Sequence, residues 1–119
     1  MAEMSPQMRN QFAQYQQLQQ QIQMIATQKF QIEAKISEVD RALEELKKAG
    51  DVPVYRSIGS ILVKAESKEE VEKDLDEQKE TLQVRVKTLE RQETHLRERY
   101  QGLQEQLTKA LKTEEKEDA

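Results

Sequence analysis

The sequence predicts a mainly α-helical protein in which two long helices pair antiparallel as a coiled coil and one β-hairpin joins them. Three observations predict this fold. Ala, Glu, Lys, Leu and Arg make up 57 of the 119 residues, close to the half that is typical of long helices. Apolar residues recur at steps of three and four in two long stretches, and a short run rich in β-branched residues separates the two. The hydrophobic fraction of 35% is too low for a compact globule, so we treat residues 1–119 as a single helix–hairpin–helix domain.

The first helix is predicted to span residues 6–49. Ser5 followed by Pro6 is a typical helix start, because the Ser hydroxyl accepts a hydrogen bond from a first-turn amide and proline fits the first helical position. Two lysines followed by Gly50 and Pro53 are a typical helix end. Alternating steps of three and four define a coiled-coil seam at Tyr15, Leu18, Ile22, Ile25, Lys29, Ile32, Ile36, Val39, Leu43 and Leu46.

The second helix is predicted to span residues 67–112. Ser67 and Glu70 have the spacing of a capping box at its start. Leucines then repeat every seven residues at Leu75, Leu82, Leu89, Leu96 and Leu103. Residues 113–119 hold four acids and one base, so they supply −3 of the net charge of −4, and we expect them to form an acidic disordered tail.

The two helices have nearly equal length and a short connection, which favours an antiparallel intramolecular pair. Aligning their ends places Tyr15 near Leu103 and brings Lys29 within about one turn of Glu93. We expect the Lys29–Glu93 pair to fix the register of the helices, as polar seam residues do in other coiled coils. The alternative is that both long side chains extend outward into solvent.

The connection, residues 52–66, is predicted to be a β-hairpin. Gly59-Ser60 is a two-residue link with glycine first, as a type II′ turn requires. An isolated hairpin is marginally stable in water, and this one has apolar side chains and unpaired edges, so we expect hairpins of several chains to assemble into a sheet or barrel. The alternative is a lone hairpin that folds back on its own helices. Tyr55 and Leu62 fall on one face, and the predicted assembly surface on the other is Val54, Ile58, Ile61 and Val63.

Composition argues against an enzyme, a metal protein and a nucleic-acid-binding protein. The chain has no cysteine and one histidine, His95, which lies off the seam and is expected to be solvated. We find no phosphate loop, nucleophile motif or paired carboxylates in a pocket, so no catalytic, cofactor or metal residue is predicted. Basic residues alternate with acids, unlike a nucleic-acid-binding stripe. No apolar run reaches membrane-spanning length, and we expect a cytoplasmic protein.

The free ends of the helices form a second candidate surface. Between Met4 and Gln28 the only charged residue is Arg9, and this stretch holds ten glutamines. Antiparallel pairing brings five apolar residues together at what we call the distal tip, and methionine is suited to contacts with varied apolar partners. The alternative is that these residues only continue the seam or belong to frayed ends. The distal tip comprises Met4, Met8, Phe12, Leu107 and Leu111.

The chain resembles the prefoldin family over roughly residues 5–112. The most specific stretches are the hairpin segments Val54–Gly59 and Ile61–Lys64 and the second-helix run Lys87–Glu93. This resemblance implies a hexamer of two α and four β subunits, whose hairpins form a double β-barrel from which the coiled coils project. An α subunit would have two hairpins, whereas this chain has room for one.

The resemblance also implies a function. Members of the family are chaperones that bind unfolded polypeptides at the coiled-coil tips without ATP and deliver them to a group II chaperonin. On this chain the polypeptide-binding residues would be those of the distal tip, and the partners would be an α subunit, unfolded polypeptides and the chaperonin, with no cofactor, nucleic acid or membrane. The competing class is a structural coiled-coil tether or adaptor for one folded partner, which leaves the apolar hairpin and the distal tip without a role.

Overall fold

The computed structural model describes residues 4–118, and it describes side-chain surroundings for residues 4–113. The elements in chain order are α1 (Pro6–Lys48), β1 (Tyr55–Ile58), β2 (Ile61–Lys64) and α2 (Lys68–Asp118). Two helices flanking a single two-stranded antiparallel hairpin confirm the predicted fold class.

The helix ends form for the predicted reasons. The backbone N–H of Met8 donates to the Ser5 hydroxyl at 3.1 Å, and the N–H of Glu70 donates to the Ser67 hydroxyl at 3.1 Å. Each hydroxyl therefore satisfies one of the amides that a helix N-terminus leaves without a partner. At the other end of α1, Gly50 has a φ of 71°, the left-handed conformation that glycine adopts without steric cost.

The structure differs from the sequence prediction at the end of α2. The backbone is helical to Asp118, so the expected disordered tail from residue 113 is not found in the described chain, and Ala119 lies outside the described residues. The segment after Lys112 is mostly Glu and Lys, which have high helix propensity, and it has no Gly or Pro to end the helix. High charge predicts exposure there but does not by itself prevent helix formation.

The chain divides into two compact units, each of which includes part of both helices. The hairpin unit comprises Phe30–Thr88, and the terminal unit comprises the segments up to Lys29 and from Leu89 onward. In both units the buried side chains are apolar residues of the helices. They are Val39, Leu43 and Val86 in the hairpin unit, and Met8, Leu18, Ile22, Leu89 and Leu107 in the terminal unit.

Contacts between the helices show that they run antiparallel within each unit. In the hairpin unit Asp40 forms an ion pair with Lys79 at 2.6 Å, and Lys68 donates to the carbonyl oxygen of Gly50 at 3.2 Å. In the terminal unit Tyr15 contacts Tyr100 and Lys29 contacts Glu93. In both units a later residue of α1 pairs with an earlier residue of α2, as the predicted hairpin connection requires.

Candidate functional site

The hairpin has the predicted turn and the predicted register. Gly59 has a φ of 59° and Ser60, which follows it, has no positive φ, as a type II′ turn with glycine first requires. Ile58 is paired with Ile61, and Ser57 with Leu62. The N–H of Ala65 donates to the carbonyl of Val54 at 2.8 Å, which extends the pairing by one step beyond the strands.

One face of the hairpin is tied to α2 of its own chain. Arg56, in the middle of β1, forms a hydrogen-bonded ion pair with Asp74 of α2. Because side chains alternate across a strand, this contact turns the Arg56 face toward the helix and the face of Tyr55 and Leu62 away from it. Val54, which shares the Arg56 face, is correspondingly half-buried.

Five apolar side chains of strands β1 and β2 are left exposed in the single chain. Their exposed fractions range from 41% for Val63 to 73% for Leu62. Of the predicted assembly surface, Ile58, Ile61 and Val63 belong to this set and Val54 does not. Sequence reasoning missed the other two members, Tyr55 and Leu62. The available signal was that apolar residues occupy both faces of the hairpin, so neither face alone defines the surface.

The structure divides the distal tip into a buried pair and an exposed set. Met8 and Leu107 are 4% and 7% exposed and belong to the core of the terminal unit. Met4, Phe12 and Leu111 are exposed by 37% to 49%. The two helix ends therefore come together as predicted, but only the last three side chains are available to a partner without separating the helices.

A stacked tyrosine pair lies in the terminal unit. The rings of Tyr15 and Tyr100 are nearly parallel, with an interplanar angle of 16° and centroids 4.5 Å apart, and their hydroxyl oxygens are 2.6 Å apart. The hydrogen bond with Tyr100 and burial raise the pKa of Tyr15 above its usual 10.0, so the phenol stays neutral. Sequence alignment of the helix ends places Tyr15 opposite Leu103, and the hydroxyl–hydroxyl bond explains why its side chain lies instead against Tyr100, about one turn away.

The predicted Lys29–Glu93 contact is present. The Nζ of Lys29 lies 3.4 Å from one carboxylate oxygen of Glu93, and Arg97 lies 3.7 Å from the other oxygen. The Lys29 and Glu93 side chains are only 25% and 15% exposed, so both are inside the interface rather than free in solvent. Separating them by a slip of the helices would leave partly desolvated charges without partners.

We expect the double variant Lys29→Leu, Glu93→Leu to lose its unique register while remaining helical. Leucine packs equally well in the seam when one helix is shifted along the other by seven residues, so nothing at these two positions favours the native register. Because the sequence has no cysteine, introduced cysteine pairs can report the register. Cysteines in place of Gln11 and Gln106, which line one cleft, report the native register. A second pair, at Gln11 and Thr113, reports a shift of seven residues.

With Lys29 and Glu93 in place, only the first cysteine pair should form a disulfide. In the Lys29→Leu, Glu93→Leu background, each of the two cysteine pairs should form one. The register hypothesis is wrong if the double variant cross-links only in the native register.

A shallow groove with apolar walls lies beside the seam of the terminal unit. Met24, Ile25 and Leu96 line it together with Gln21, Gln92 and His95. His95 is exposed at its edge, as expected for an off-seam residue. Among the side chains described, those of residues 4–113, no group of three His, Asp or Glu is arranged to hold a metal ion. The described helices also include none that is long and apolar enough to cross a bilayer.

Comparison with known proteins decides the family. The family model described as prefoldin subunit matches residues 9–114. The chain belongs to the prefoldin family. It is 52% identical over 112 residues to the prefoldin subunit beta of Archaeoglobus fulgidus, covering 93% of this chain and 96% of that protein. It is 48% identical over 111 residues to the prefoldin subunit beta of Methanosarcina acetivorans, covering 92% and 94% of the two chains.

A solved prefoldin structure has the same architecture. The crystal structure of the prefoldin beta subunit from Thermococcus strain KS-1 matches with a TM-score of 0.85 and 35% sequence identity, over 93% of this chain and 97% of that one. Family, relatives and fold together identify a prefoldin chaperone subunit, and this places its role in protein folding.

Proposed function

We propose that this chain is the β-type subunit of a cytoplasmic prefoldin hexamer, with two α and four β subunits, that captures unfolded polypeptides and transfers them to a group II chaperonin. The observation that carries the proposal is the exposed apolar set Met4, Phe12 and Leu111 around the buried pair Met8 and Leu107. These residues lie at the helix ends, where α1 has almost no charge. Such a surface suits apolar segments of many sequences because no charge pattern selects among them.

This surface would bind and hold an unfolded client without using ATP. Three partly exposed side chains per subunit offer a weak contact that forms and breaks readily. Several subunits in one assembly turn such contacts into useful total affinity, since each further contact to the same client is intramolecular. Weak individual contacts also permit release, which a transfer to a chaperonin requires.

Assembly would use the hairpin. Its five exposed apolar side chains and its two unpaired strand edges are features that proteins usually cover. Hairpins of neighbouring subunits, including those of an α-type partner, can pair with the edges and pack against the exposed faces as a barrel. Because the Arg56–Asp74 ion pair holds the hairpin against α2, each subunit would present it in a defined orientation.

A structural tether or adaptor for one folded partner is the alternative function. It accounts for the helices but gives no role to the apolar hairpin or to the neutral distal tip. The two functions differ in selectivity, because an adaptor recognises one surface whereas a chaperone protects many unrelated clients.

Dilution of several unrelated denatured proteins into buffer with the chain and an α-type prefoldin subunit tests the proposal. We expect light scattering to show delayed aggregation of all of them without ATP, and addition of a group II chaperonin to lower the amount of client bound. Protection of none of the clients, or of a single one, would contradict the chaperone function and favour the adaptor.

A further inference from the structure

The stacked pair of Tyr15 and Tyr100 joins residues that are 85 positions apart in the chain. Both side chains are half-buried, and one comes from α1 and the other from α2. The third tyrosine, Tyr55, is exposed on the hairpin and belongs to the other unit. Two of the three tyrosines are thus held together by the fold.

Phenols lose an electron readily, and the resulting phenoxyl radical has spin density on the oxygen and on the ring carbons ortho to it. Coupling of two such radicals forms a carbon–carbon bond when the rings meet face to face. In Tyr15 and Tyr100 the ring centroids are 4.5 Å apart and the rings are tilted by 16°, and the contact between the hydroxyls places the ortho edges at the same end of the stack. Preorganisation of this kind converts an encounter between two groups into an effectively unimolecular step.

We propose that Tyr15 and Tyr100 form an intrachain oxidative cross-linking site, at which a one-electron oxidant joins the two rings as dityrosine. The oxidant is of the class of peroxidase with hydrogen peroxide, or a photogenerated metal complex. The product of this site differs from those of ordinary surface oxidation because the new bond lies within one chain and joins two defined residues.

The chemistry balances as two one-electron oxidations followed by coupling. Each phenol gives up one electron to the oxidant and one proton to solvent, and becomes a phenoxyl radical. The two radicals share their unpaired electrons in a bond between ortho carbons, and the hydrogens on those carbons then move to the oxygens and restore both phenols. With hydrogen peroxide as the terminal oxidant, one peroxide accepts the two electrons and two protons and yields two water molecules.

The cross-link would give the terminal unit a covalent tie that the chain otherwise lacks. No cysteine is present, so no disulfide can join α1 to α2. A bond between Tyr15 and Tyr100 closes a long loop, and it restricts the unfolded chain much more than the folded one. It also holds the helix ends of the distal tip together under oxidising conditions.

The test is photo-oxidation of the full-length protein with ruthenium tris-bipyridyl and persulfate at low protein concentration. We expect dityrosine fluorescence, an intact-chain mass lower by two hydrogen atoms, and a linked peptide pair that contains Tyr15 and Tyr100. The thermal midpoint of the cross-linked chain should be higher than that of the untreated chain.

Phenylalanine variants provide the controls, since they retain a stacked ring and remove the hydroxyl. Tyr15→Phe and Tyr100→Phe should each abolish the intrachain product, whereas Tyr55→Phe should leave its yield unchanged. Peptide mapping of the unmodified sequence is independent of whether any variant folds. Absence of a linked Tyr15–Tyr100 peptide pair from the oxidised native sequence would overturn the proposal, as would persistence of the intrachain bond in Tyr15→Phe.

Discussion

Replacing Ile61 by Asp should disperse the proposed hairpin assembly into single chains that retain their helices. Ile61 lies beside the turn, opposite Ile58, and it is 59% exposed in the isolated chain. The substitution therefore removes little packing within the subunit. In a barrel built from several hairpins, each copy would bury a carboxylate without a partner, which costs several kcal/mol per site by desolvation. Light scattering should show the mass of the assembly falling to that of one chain or a small subassembly.

Val84→Asp is the matched control. Val84 is 61% exposed, belongs to the same unit and lies on α2 rather than on the hairpin, so the new charge should leave the mass of the assembly unchanged. Leu62→Asp extends the test to the hairpin face opposite Arg56, and we expect it to disperse the assembly as well. If the mass is unchanged for both hairpin variants, the barrel proposal is wrong, and dispersal by Val84→Asp would show a nonspecific effect of charge.

The hairpin illustrates which parts of such a fold are predictable from sequence. Gly59 sets the turn, and a two-residue turn sets the register, so every cross-strand pair followed from local chemistry. The orientation of the hairpin on its own chain did not follow, because it depends on the ion pair between Arg56 and Asp74, which are 18 residues apart. A sequence pattern shows that both residues are charged, but only the packed chain shows that they meet.

At the distal tip, the heptad spacing of the sequence distinguishes buried residues from exposed ones. Continuing the seam backward from Tyr15 by steps of four and three reaches Gln11 and then Met8, and leaves Phe12 outside the seam. The structure agrees, with Met8 buried and Phe12 exposed. The same periodicity that predicted the helices thus separates core residues from surface residues at the tip, whereas residue type alone does not.

The double variant Phe12→Gln, Leu111→Gln should weaken protection of clients while leaving assembly intact. Both side chains are exposed, and glutamine matches the surrounding surface of α1, so the change removes apolar contact area without adding charge or disturbing the buried pair Met8 and Leu107. Loss of about 1.5 kcal/mol of apolar contact corresponds to roughly tenfold weaker binding at each tip. If several tips hold one client, as proposed, the loss is multiplied across the assembly, and more protein should be needed to suppress aggregation to the same extent.

Met24→Gln is the control for this prediction. Met24 is 62% exposed in the same unit but lies along α1 beside the groove, away from the distal tip, so aggregation should be suppressed as in the native protein. Deleting residues 1–12 or 104–119 gives stronger versions of the variant, and both deletions should weaken protection and leave the hairpin assembly in place. Full protection by the double variant and by both deletions would exclude the distal tip as the binding surface. Equal loss in Met24→Gln would instead show that clients bind along the apolar flank of the terminal unit, because the groove lies there.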